Sequence, residues 1–376
     1  MRYDHALTAK DFNNPYLINT NKDEIIAVKG NLLTAEYIWS LDEKQREDLI
    51  EDVVEYYYNK GFPYQECTKE DLNKDFTKLK KVKEESILTD EGYLKNSNPS
   101  GLLISRYYNK DLFYKVRGDT TPSVEDIFYN KECLVKVLQN RMGWYTSNED
   151  RTERPYIFGI TDKMLIQGIH SSAMGFNVSQ FKHAIGKYLY KKYAKEKVFD
   201  YSCGWGARAL AAISLGLEYY GTDPLTAENT NKIIQDFGGK GKAYQSGSEV
   251  SETYKDIPQV DTILSSPPYF ILEKYSEDNT QSVIKYNEYE VWLEHYWKDT
   301  VKNCISILQE KGYFILIMKD IYKKYNLLDD MTKICLDNDL TFVEDLKFTT
   351  SKNHLSGKTK SKVNTKQSEI IRVFQK

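Results

Sequence analysis

Hydrophobic positions follow one period near the N-terminus and another in the second half of the chain. Between Leu41 and Lys60 apolar side chains recur at helical intervals, and the segment 61–63 (Gly-Phe-Pro) ends the pattern. From about Lys197 short apolar runs alternate with amphipathic stretches, which predicts strands that alternate with helices. The predicted strands cover 198–201, 218–222, 242–245, 260–265, 312–318, 340–350 and 369–374, and helices are predicted from about 207, 226, 289 and 327.

This alternation predicts an α/β fold with a mostly parallel, doubly wound sheet. The last two strands are joined by a loop, so they add an antiparallel hairpin at one edge. The first 150 residues show helical patterns and no regular strand alternation. We therefore expect two domains, a mostly helical accessory region over 1–150 and the α/β domain over 151–376.

Composition limits the classes of protein that the chain can belong to. Of its 376 residues, 40% are hydrophobic and 28% are charged, which predicts a sizeable core. No apolar run approaches the roughly 20 residues of a membrane span, and no signal core opens the chain. Five scattered cysteines without a CxxC pair argue against a zinc site. We expect a soluble cytoplasmic protein of a bacterium or a phage-infected cell, and its net charge of −3 requires local patches for any polyanion.

The first group of candidate site residues follows the strand 198–201. Asp200 ends the strand, and Ser202, Gly204 and Gly206 form a turn that leads into a helix. Glycine lets backbone approach a ligand closely, and Gly-x-Gly also fits a dinucleotide fingerprint. In a dinucleotide site, however, the first glycine directly follows the strand and the helix receives pyrophosphate. The charge of Asp200 would repel phosphate, and it suits a cationic group such as the aminoacyl end of S-adenosylmethionine.

Two further acidic positions extend this group. Asp223 and Pro224 end the next predicted strand, 17 residues beyond Gly206, where a carboxylate can accept hydrogen bonds from both ribose hydroxyls. After the third strand, Ser248 and Glu249 are candidates for contacts with an adenine edge. A single acid at a strand end is common, but the ordered set favours a nucleoside-containing cofactor.

The second candidate site is Ser266-Pro267-Pro268-Tyr269, which follows the strand 260–265. The two prolines fix the turn and remove backbone donors. The result is a rigid loop that presents carbonyls and a hydroxyl beside an aromatic ring. The carboxyl end of a sheet strand is where ligands bind in open α/β folds.

Together the two motifs resemble the S-adenosylmethionine-dependent amino-methyltransferases of DNA. Ser266–Tyr269 matches the family's catalytic tetrapeptide, and Asp200-x-x-x-Gly204-x-Gly206 matches its cofactor motif, with Ser202 where many members have Phe. The segment 175–181, which includes Phe176, resembles the family's other cofactor-side motif. The resemblance covers about residues 165–376, and it implies a Rossmann-like class I methyltransferase sheet.

The resemblance also implies a mechanism. Ser266 Oγ and the Pro267 carbonyl would accept the two N–H bonds of a base amine, and the methyl group would pass by direct displacement without a covalent enzyme intermediate. The target base would be flipped out of duplex DNA and stacked on Tyr269. Serine at the first tetrapeptide position slightly favours cytosine N4 over adenine N6. An RNA or protein amino-methyltransferase, and a non-catalytic subunit that binds cofactor or DNA, remain alternatives.

Two features concern DNA recognition. Ser266 follows Gly206 by 60 residues, which leaves no room for a recognition domain between the motifs, so recognition is expected from 1–150 or from loops. Between Leu346 and Ser368 there are six lysines and no acid. We expect this segment to contact phosphates, through Lys352, Lys358, Lys360, Lys362 and Lys366.

Overall fold

The computed structural model describes residues 17–18, 24–118, 121–142, 157–172, 174–176, 178, 180–270, 278–319, 325–348 and 369–376. The strands are β1 (Leu17–Ile18), β2 (Ala27–Val28), β3 (Asn31–Leu32), β4 (Ile157–Phe158), β5 (Lys197–Asp200), β6 (Glu218–Thr222), β7 (Lys240–Tyr244), β8 (Val260–Ser265), β9 (Leu308–Lys319), β10 (Thr341–Lys347) and β11 (Glu369–Gln375). The helices are α1 (Ala35–Ser40), α2 (Glu43–Lys60), α3 (Lys69–Lys81), α4 (Leu102–Tyr108), α5 (Lys110–Phe113), α6 (Val124–Tyr129), α7 (Lys131–Arg141), α8 (Asp162–Ser171), α9 (His183–Tyr193), α10 (Ala207–Ser214), α11 (Ala227–Asp236), α12 (Ser282–Lys285), α13 (Tyr289–Trp292), α14 (Lys298–Ile307) and α15 (Leu327–Leu336). A π-helix, Leu293–Trp297, joins α13 to α14.

The chain forms two compact units that interleave along the sequence. The helical unit consists of residues 1–66 and 110–178, and the sheet unit consists of residues 67–109 and 179–376. Segment 67–109, which contains α3 and α4, thus belongs to the unit that carries the large sheet. The domain boundary expected between residues 150 and 151 stays a prediction, because both residues lie outside the described ones.

The helical unit is organised around α2, which covers the helix predicted near 41–60. Asp42 caps this helix through a capping box with Gln45, and Gly61 at φ +83° ends it. Its buried face packs on the other helices of the unit, and Tyr57 makes an edge-on ring contact with the fully buried Phe128. The burial of this apolar face stabilises α2 within the unit.

The sheet unit is built on seven strands in the order β10-β11-β9-β8-β5-β6-β7. Strands β9, β8, β5, β6 and β7 are parallel, and β11 runs antiparallel to both β9 and β10. This mostly parallel sheet with an antiparallel C-terminal hairpin is the class I methyltransferase fold, which confirms the predicted α/β class.

Alternate residues of the central strands enter two different hydrophobic clusters. On β9, Ile315 and Ile317 belong to one cluster, whereas Phe314, Leu316 and Met318 belong to the other. Helices α9, α10 and α11 contribute to the first cluster, and the helical stretch 289–307 with α15 contributes to the second. The sheet is therefore covered on both faces, as a parallel sheet requires.

The chain order of the strands creates a switch point between β5 and β8. From β5 the chain proceeds outward through β6 to β7 and then returns to the other side of β5 as β8. Open α/β sheets bind ligands at such a point, outside the carboxyl ends of the strands. The turn 201–206 follows β5 and the tetrapeptide follows β8, so both candidate motifs lie at this position.

Candidate active site

Asp200 lies at the carboxyl end of β5 and is completely buried. Its Oδ1 accepts hydrogen bonds from Ser202 N (3.1 Å) and Ser265 Oγ (2.6 Å), and its Oδ2 accepts from Arg208 Nε (2.8 Å) and Tyr219 OH (2.8 Å). A carboxylate offers about four acceptor positions, so these four donors use all of them. The direct contact expected between Asp200 and a cationic ligand stays a prediction, and in this structure the carboxylate is turned inward.

Arg208 is the residue that sequence reasoning missed at this point. It lies in the first turn of α10, is 5% exposed, and also donates from Nη2 to the carbonyl of Ser202. Its guanidinium carbon lies 5.5 Å from the ring centroid of Phe181. Arg208 therefore neutralises Asp200 and ties the turn after β5 to the helix that follows it.

Asp223 directly follows β6 and lies in a different environment. Its Oδ1 accepts from the backbone N–H of Leu225 and Thr226 (2.9 Å each), and its Oδ2 accepts from Gly204 N (3.0 Å). These three donors leave one acceptor position on Oδ2. The side chain is buried with the residue 8% exposed, and this burial raises the pKa of Asp223 above its ordinary value. Asp223 thus has a capacity for a further hydrogen bond that Asp200 lacks.

The two glycines of the turn have different reasons to be glycine. Gly206 has φ +74°, which favours glycine, and a Cβ there would lie 2.7 Å from Ile233 Cδ1 on α11, so that side chain would have to shift. Gly204 has φ +52°, and the nearest atoms to a Cβ there would be Ser202 O at 3.8 Å and Arg208 Nη2 at 4.0 Å. Gly204 is consequently the position where backbone is open to a ligand.

Ser248 and Glu249 follow β7 and are both engaged with neighbouring side chains. Ser248 Oγ lies 2.8 Å from Thr300 Oγ1, and Glu249 accepts from Lys285 Nζ at 2.7 Å. Burial raises the pKa of Tyr296, a hydrogen bond with Ser248 lowers it, and the charges of Glu249 and Asp223 raise it further. Ser248 and Glu249 are therefore both in contact with other side chains in this structure, and their role toward an adenine edge stays a prediction.

The tetrapeptide follows β8 directly. Ser265, the last residue of β8, donates to Asp200, so the ends of β8 and β5 are joined by a side-chain hydrogen bond of 2.6 Å. Ser266 Oγ lies 3.3 Å from Tyr269 OH, and Tyr269 is 8% exposed. Pro267 is buried and Pro268 is half-buried. The structure thus places the tetrapeptide at the same sheet edge as the turn after β5.

Other predicted site residues have different positions. The Pro224 carbonyl accepts from Gln245 Nε2 at 3.3 Å, so it belongs to the rim of the same edge. Phe176 lies in the helical unit, where its N–H donates to the Pro122 carbonyl at 2.7 Å, and its cofactor role stays a prediction. The five lysines expected to contact DNA lie outside the described residues.

The described residues contain neither a cluster of metal-binding side chains nor a membrane-spanning helix. In that part of the chain no group of three or more His, Cys, Asp or Glu side chains is arranged to hold a metal ion. None of the described helices is both long enough and apolar enough to cross a membrane.

No protein-family model matches the chain, and no curated protein matches it. Solved structures match about half of it. TehB from Haemophilus influenzae is 15% identical over 53% of this chain and 63% of that chain, with a TM-score of 0.35. TrmN from Thermus thermophilus is 12% identical over 57% and 66%, with a TM-score of 0.37. The 16S rRNA N2 G1207 methyltransferase RsmC of T. thermophilus, solved with AdoMet and guanosine, is 15% identical over 53% and 44%, with a TM-score of 0.33.

The chain therefore spans less than two thirds of each of these three proteins. At such identities a structural likeness concerns the fold alone. The class I methyltransferase fold is defined by the strand order of the sheet itself.

Proposed function

We propose that this protein is an S-adenosylmethionine-dependent methyltransferase that acts on an exocyclic amine of a DNA base. The observation that carries the proposal is the hydrogen bond from Ser265 Oγ to Asp200 Oδ1. It joins the strand that leads into the tetrapeptide to the strand that leads into the glycine turn, at the switch point of the sheet. A cofactor site and an amine-binding loop are thereby held side by side.

The residues around the turn fit the cofactor. S-adenosylmethionine supplies a methyl group on an electrophilic sulfonium centre. Asp223 offers an open acceptor for a ribose hydroxyl, and Gly204 leaves space for close approach of the ligand to the backbone. A nicotinamide dinucleotide would leave Ser266–Tyr269 without a role, which disfavours that class of cofactor. Asp200 then acts as a positioning residue that orders the turn through Ser202 and Arg208.

The tetrapeptide supplies the groups that a base amine requires. The lone pair of an exocyclic amine is delocalised into the ring, so the nitrogen is a weak nucleophile. Ser266 Oγ and the Pro267 carbonyl can accept hydrogen bonds from its two N–H groups, which draws the nitrogen toward tetrahedral geometry and makes its lone pair less delocalised. Holding the nitrogen in this orientation replaces a bimolecular encounter by a positioned displacement.

The aromatic residue of the tetrapeptide orders the base. A flipped base stacked on Tyr269 gains roughly 1–3 kcal/mol if it behaves like other base–aromatic contacts. The hydroxyl of Tyr269 lies 3.3 Å from Ser266 Oγ. The ring that would stack on the base is therefore in contact with the hydroxyl that would accept a hydrogen bond from the base amine. Because serine at the first tetrapeptide position slightly favours cytosine N4 in the family that the motif resembles, we propose cytosine N4 as the target in preference to adenine N6.

The test is transfer of labelled methyl groups from S-adenosylmethionine to duplex DNA, single-stranded DNA and RNA, followed by nucleoside analysis. We expect N4-methylcytosine in duplex DNA. Ser266→Ala and Tyr269→Ala should lose most of the transfer while cofactor affinity stays near the parent value. Ser306→Ala removes an exposed serine of α14 and is the matched control, which should behave as the parent.

Each other outcome has a definite meaning. N6-methyladenine would keep the methyltransferase and correct the base. Label that appears only in RNA or in protein would overturn DNA as the substrate. A chain that binds cofactor and transfers nothing to any acceptor would be a non-catalytic subunit.

A further inference from the structure

Phe270, the residue directly after the tetrapeptide, has an unusual backbone conformation. Its φ is +48°, in the left-handed region that residues with a Cβ rarely adopt. Among the described residues, Lys29, Lys311 and Asp339 also have positive φ, but all three are exposed, whereas Phe270 is 3% exposed. A bulky buried residue holds this conformation only where its surroundings impose it.

The surroundings of Phe270 are three aromatic rings. The ring centroids of Tyr289, Trp292 and Tyr325 lie 5.6, 5.7 and 5.7 Å from that of Phe270. Tyr289 also stacks on Tyr325, with centroids 4.2 Å apart. Edge-on and tilted contacts at these distances are favourable, so the ring of Phe270 is held in a preformed aromatic pocket.

The pocket is itself fixed by polar contacts. The Tyr289 hydroxyl donates to Asp330 Oδ2 at 2.7 Å, and Trp292 Nε1 donates to Ser282 Oγ at 3.2 Å. Trp292 is completely buried. These bonds connect the pocket to α12 and α15, so its walls do not depend on the tetrapeptide for their position.

The tetrapeptide is thus held at both ends. On its N-terminal side Ser265 donates a hydrogen bond to Asp200, and on its C-terminal side the ring of Phe270 lies in the aromatic pocket. Pro267 and Pro268 restrict the backbone between these two points. We propose that Phe270 is a positioning residue, which fixes the acceptors of Ser266 and Pro267 relative to the cofactor side. This inference rests on the proposed methyl transfer.

If Phe270 positions the tetrapeptide, its replacement should lower kcat more than it lowers the stability of the fold. Loss of the ring allows φ to relax, because the contacts that impose the strained conformation disappear. The acceptors then sample positions away from the reacting amine, and a displacement of about 1 Å can lower a rate by roughly 100-fold. The cofactor contacts at Gly204 and Asp223 belong to other strands and should not change.

The experiment compares Phe270→Leu, Phe270→Met and the control Phe374→Leu. Phe374 is completely buried on β11 and belongs to the same hydrophobic cluster, so its replacement costs core packing away from the tetrapeptide. For each variant we measure kcat and KM for duplex DNA, the cofactor Kd by calorimetry and Tm. We expect both Phe270 variants to lower kcat by roughly 10- to 100-fold with an unchanged cofactor Kd, while Phe374→Leu lowers Tm and keeps kcat.

A second readout does not need activity. Hydrogen exchange at the Tyr269 and Phe270 amides, followed by mass spectrometry, should be faster in the Phe270 variants than in Phe374→Leu. Parental kcat together with parental exchange in a folded Phe270 variant would overturn the inference. If the parent chain methylates no acceptor, the proposed function fails, and the exchange rates still decide whether Phe270 orders the loop. The unbranched side chain of Phe270→Met adapts to irregular gaps, so this variant serves if Phe270→Leu does not fold.

Discussion

The buried ion pair of Arg208 and Asp200 allows a quantitative test of what stabilises the turn 201–206. Replacing Arg208 with Met keeps an apolar side chain of similar length and removes the guanidinium. Asp200 then loses one of its four donors and its counter-charge, and the Ser202 carbonyl loses a donor. The Asp200 and Arg208 side chains are 0% and 6% exposed, so water cannot replace the lost contacts.

The expected loss of stability follows from this burial. Removing one partner of a buried ion pair typically costs about 3–5 kcal/mol, because the remaining charge has no compensation. The remaining bonds from Ser202 N, Ser265 Oγ and Tyr219 OH stabilise the carboxylate in part, so we expect about 3 kcal/mol for Arg208→Met. In the double variant Asp200→Asn/Arg208→Met no charge is buried, and most of this loss should be recovered.

The assay is urea unfolding of the parent and the variants, with cofactor affinity measured by calorimetry on the folded proteins. Lys232→Met is the matched control, because Lys232 forms an exposed pair with Glu228 on α11 and should change stability by less than about 0.5 kcal/mol. A loss below about 1 kcal/mol for Arg208→Met would refute the reasoning. It would mean that Asp200 is solvated in solution and that its direct contact with a ligand must be reconsidered.

Three further predictions concern pH and salt. Burial lowers the pKa of His183 to about 3, so its neutral form stabilises the fold above pH 6.5, and this contribution is lost progressively as the pH falls from 6.5 toward 3. Between pH 7.5 and 4.5 the unfolding free energy should therefore fall by roughly 2–3 kcal/mol more in the parent than in His183→Asn. Equal pH dependences of the unfolding free energy, measured by urea titration, would contradict the prediction. Asp223→Ala should weaken cofactor binding by roughly 1.5–3 kcal/mol in calorimetry. Because the pKa of Asp223 is raised, the affinity of the parent for the cofactor should decline on acidification at a higher pH than it would with an ordinary aspartate. Replacing Lys358, Lys360 and Lys362 with Gln should lower the slope of log affinity for DNA against log salt by about two to three, and parallel salt lines would show that these lysines do not meet phosphates.

The core strands of the sheet could be predicted from the sequence because they are buried. Strands β6 and β8 have the predicted bounds, 218–222 and 260–265, and every residue of β8 is buried. Strand β9 begins at Leu308, before the predicted 312, since the polar residues Gln309, Glu310 and Lys311 interrupt the apolar pattern between Leu308 and the rest of the strand. The π-helix at 293–297 could not be predicted from the spacing of apolar residues, because one extra residue in a helical turn barely shifts the apolar face.

The location of the candidate site could be predicted more completely than the roles of its residues. Strand ends and glycines locate the turn after β5 and the tetrapeptide in the sequence, but a side chain's partner depends on tertiary structure. Arg208 is a charged residue in the otherwise mostly apolar helix α10, which is the signal that it has a buried partner. Lys187 shows the same limit, because its ammonium donates to the carbonyls of Leu79, Lys80 and Val82 at the end of α3, over a hundred residues away.

Three carboxylates at the carboxyl ends of β5, β6 and β7 differ in what they can still bind. Asp200 has four internal donors and a buried counter-charge, and Glu249 is paired with Lys285. Asp223 is held by three backbone N–H groups that fix its position and leave an acceptor on Oδ2. Substitutions at these positions should therefore have different main effects. Loss of the Arg208 contact to Asp200 should mainly reduce the stability of the fold, whereas loss of Asp223 should mainly reduce the affinity for the cofactor. The acid that the sequence marks most clearly as part of a motif thus orders the site, and the acid at the next strand end makes the proposed contact with the cofactor.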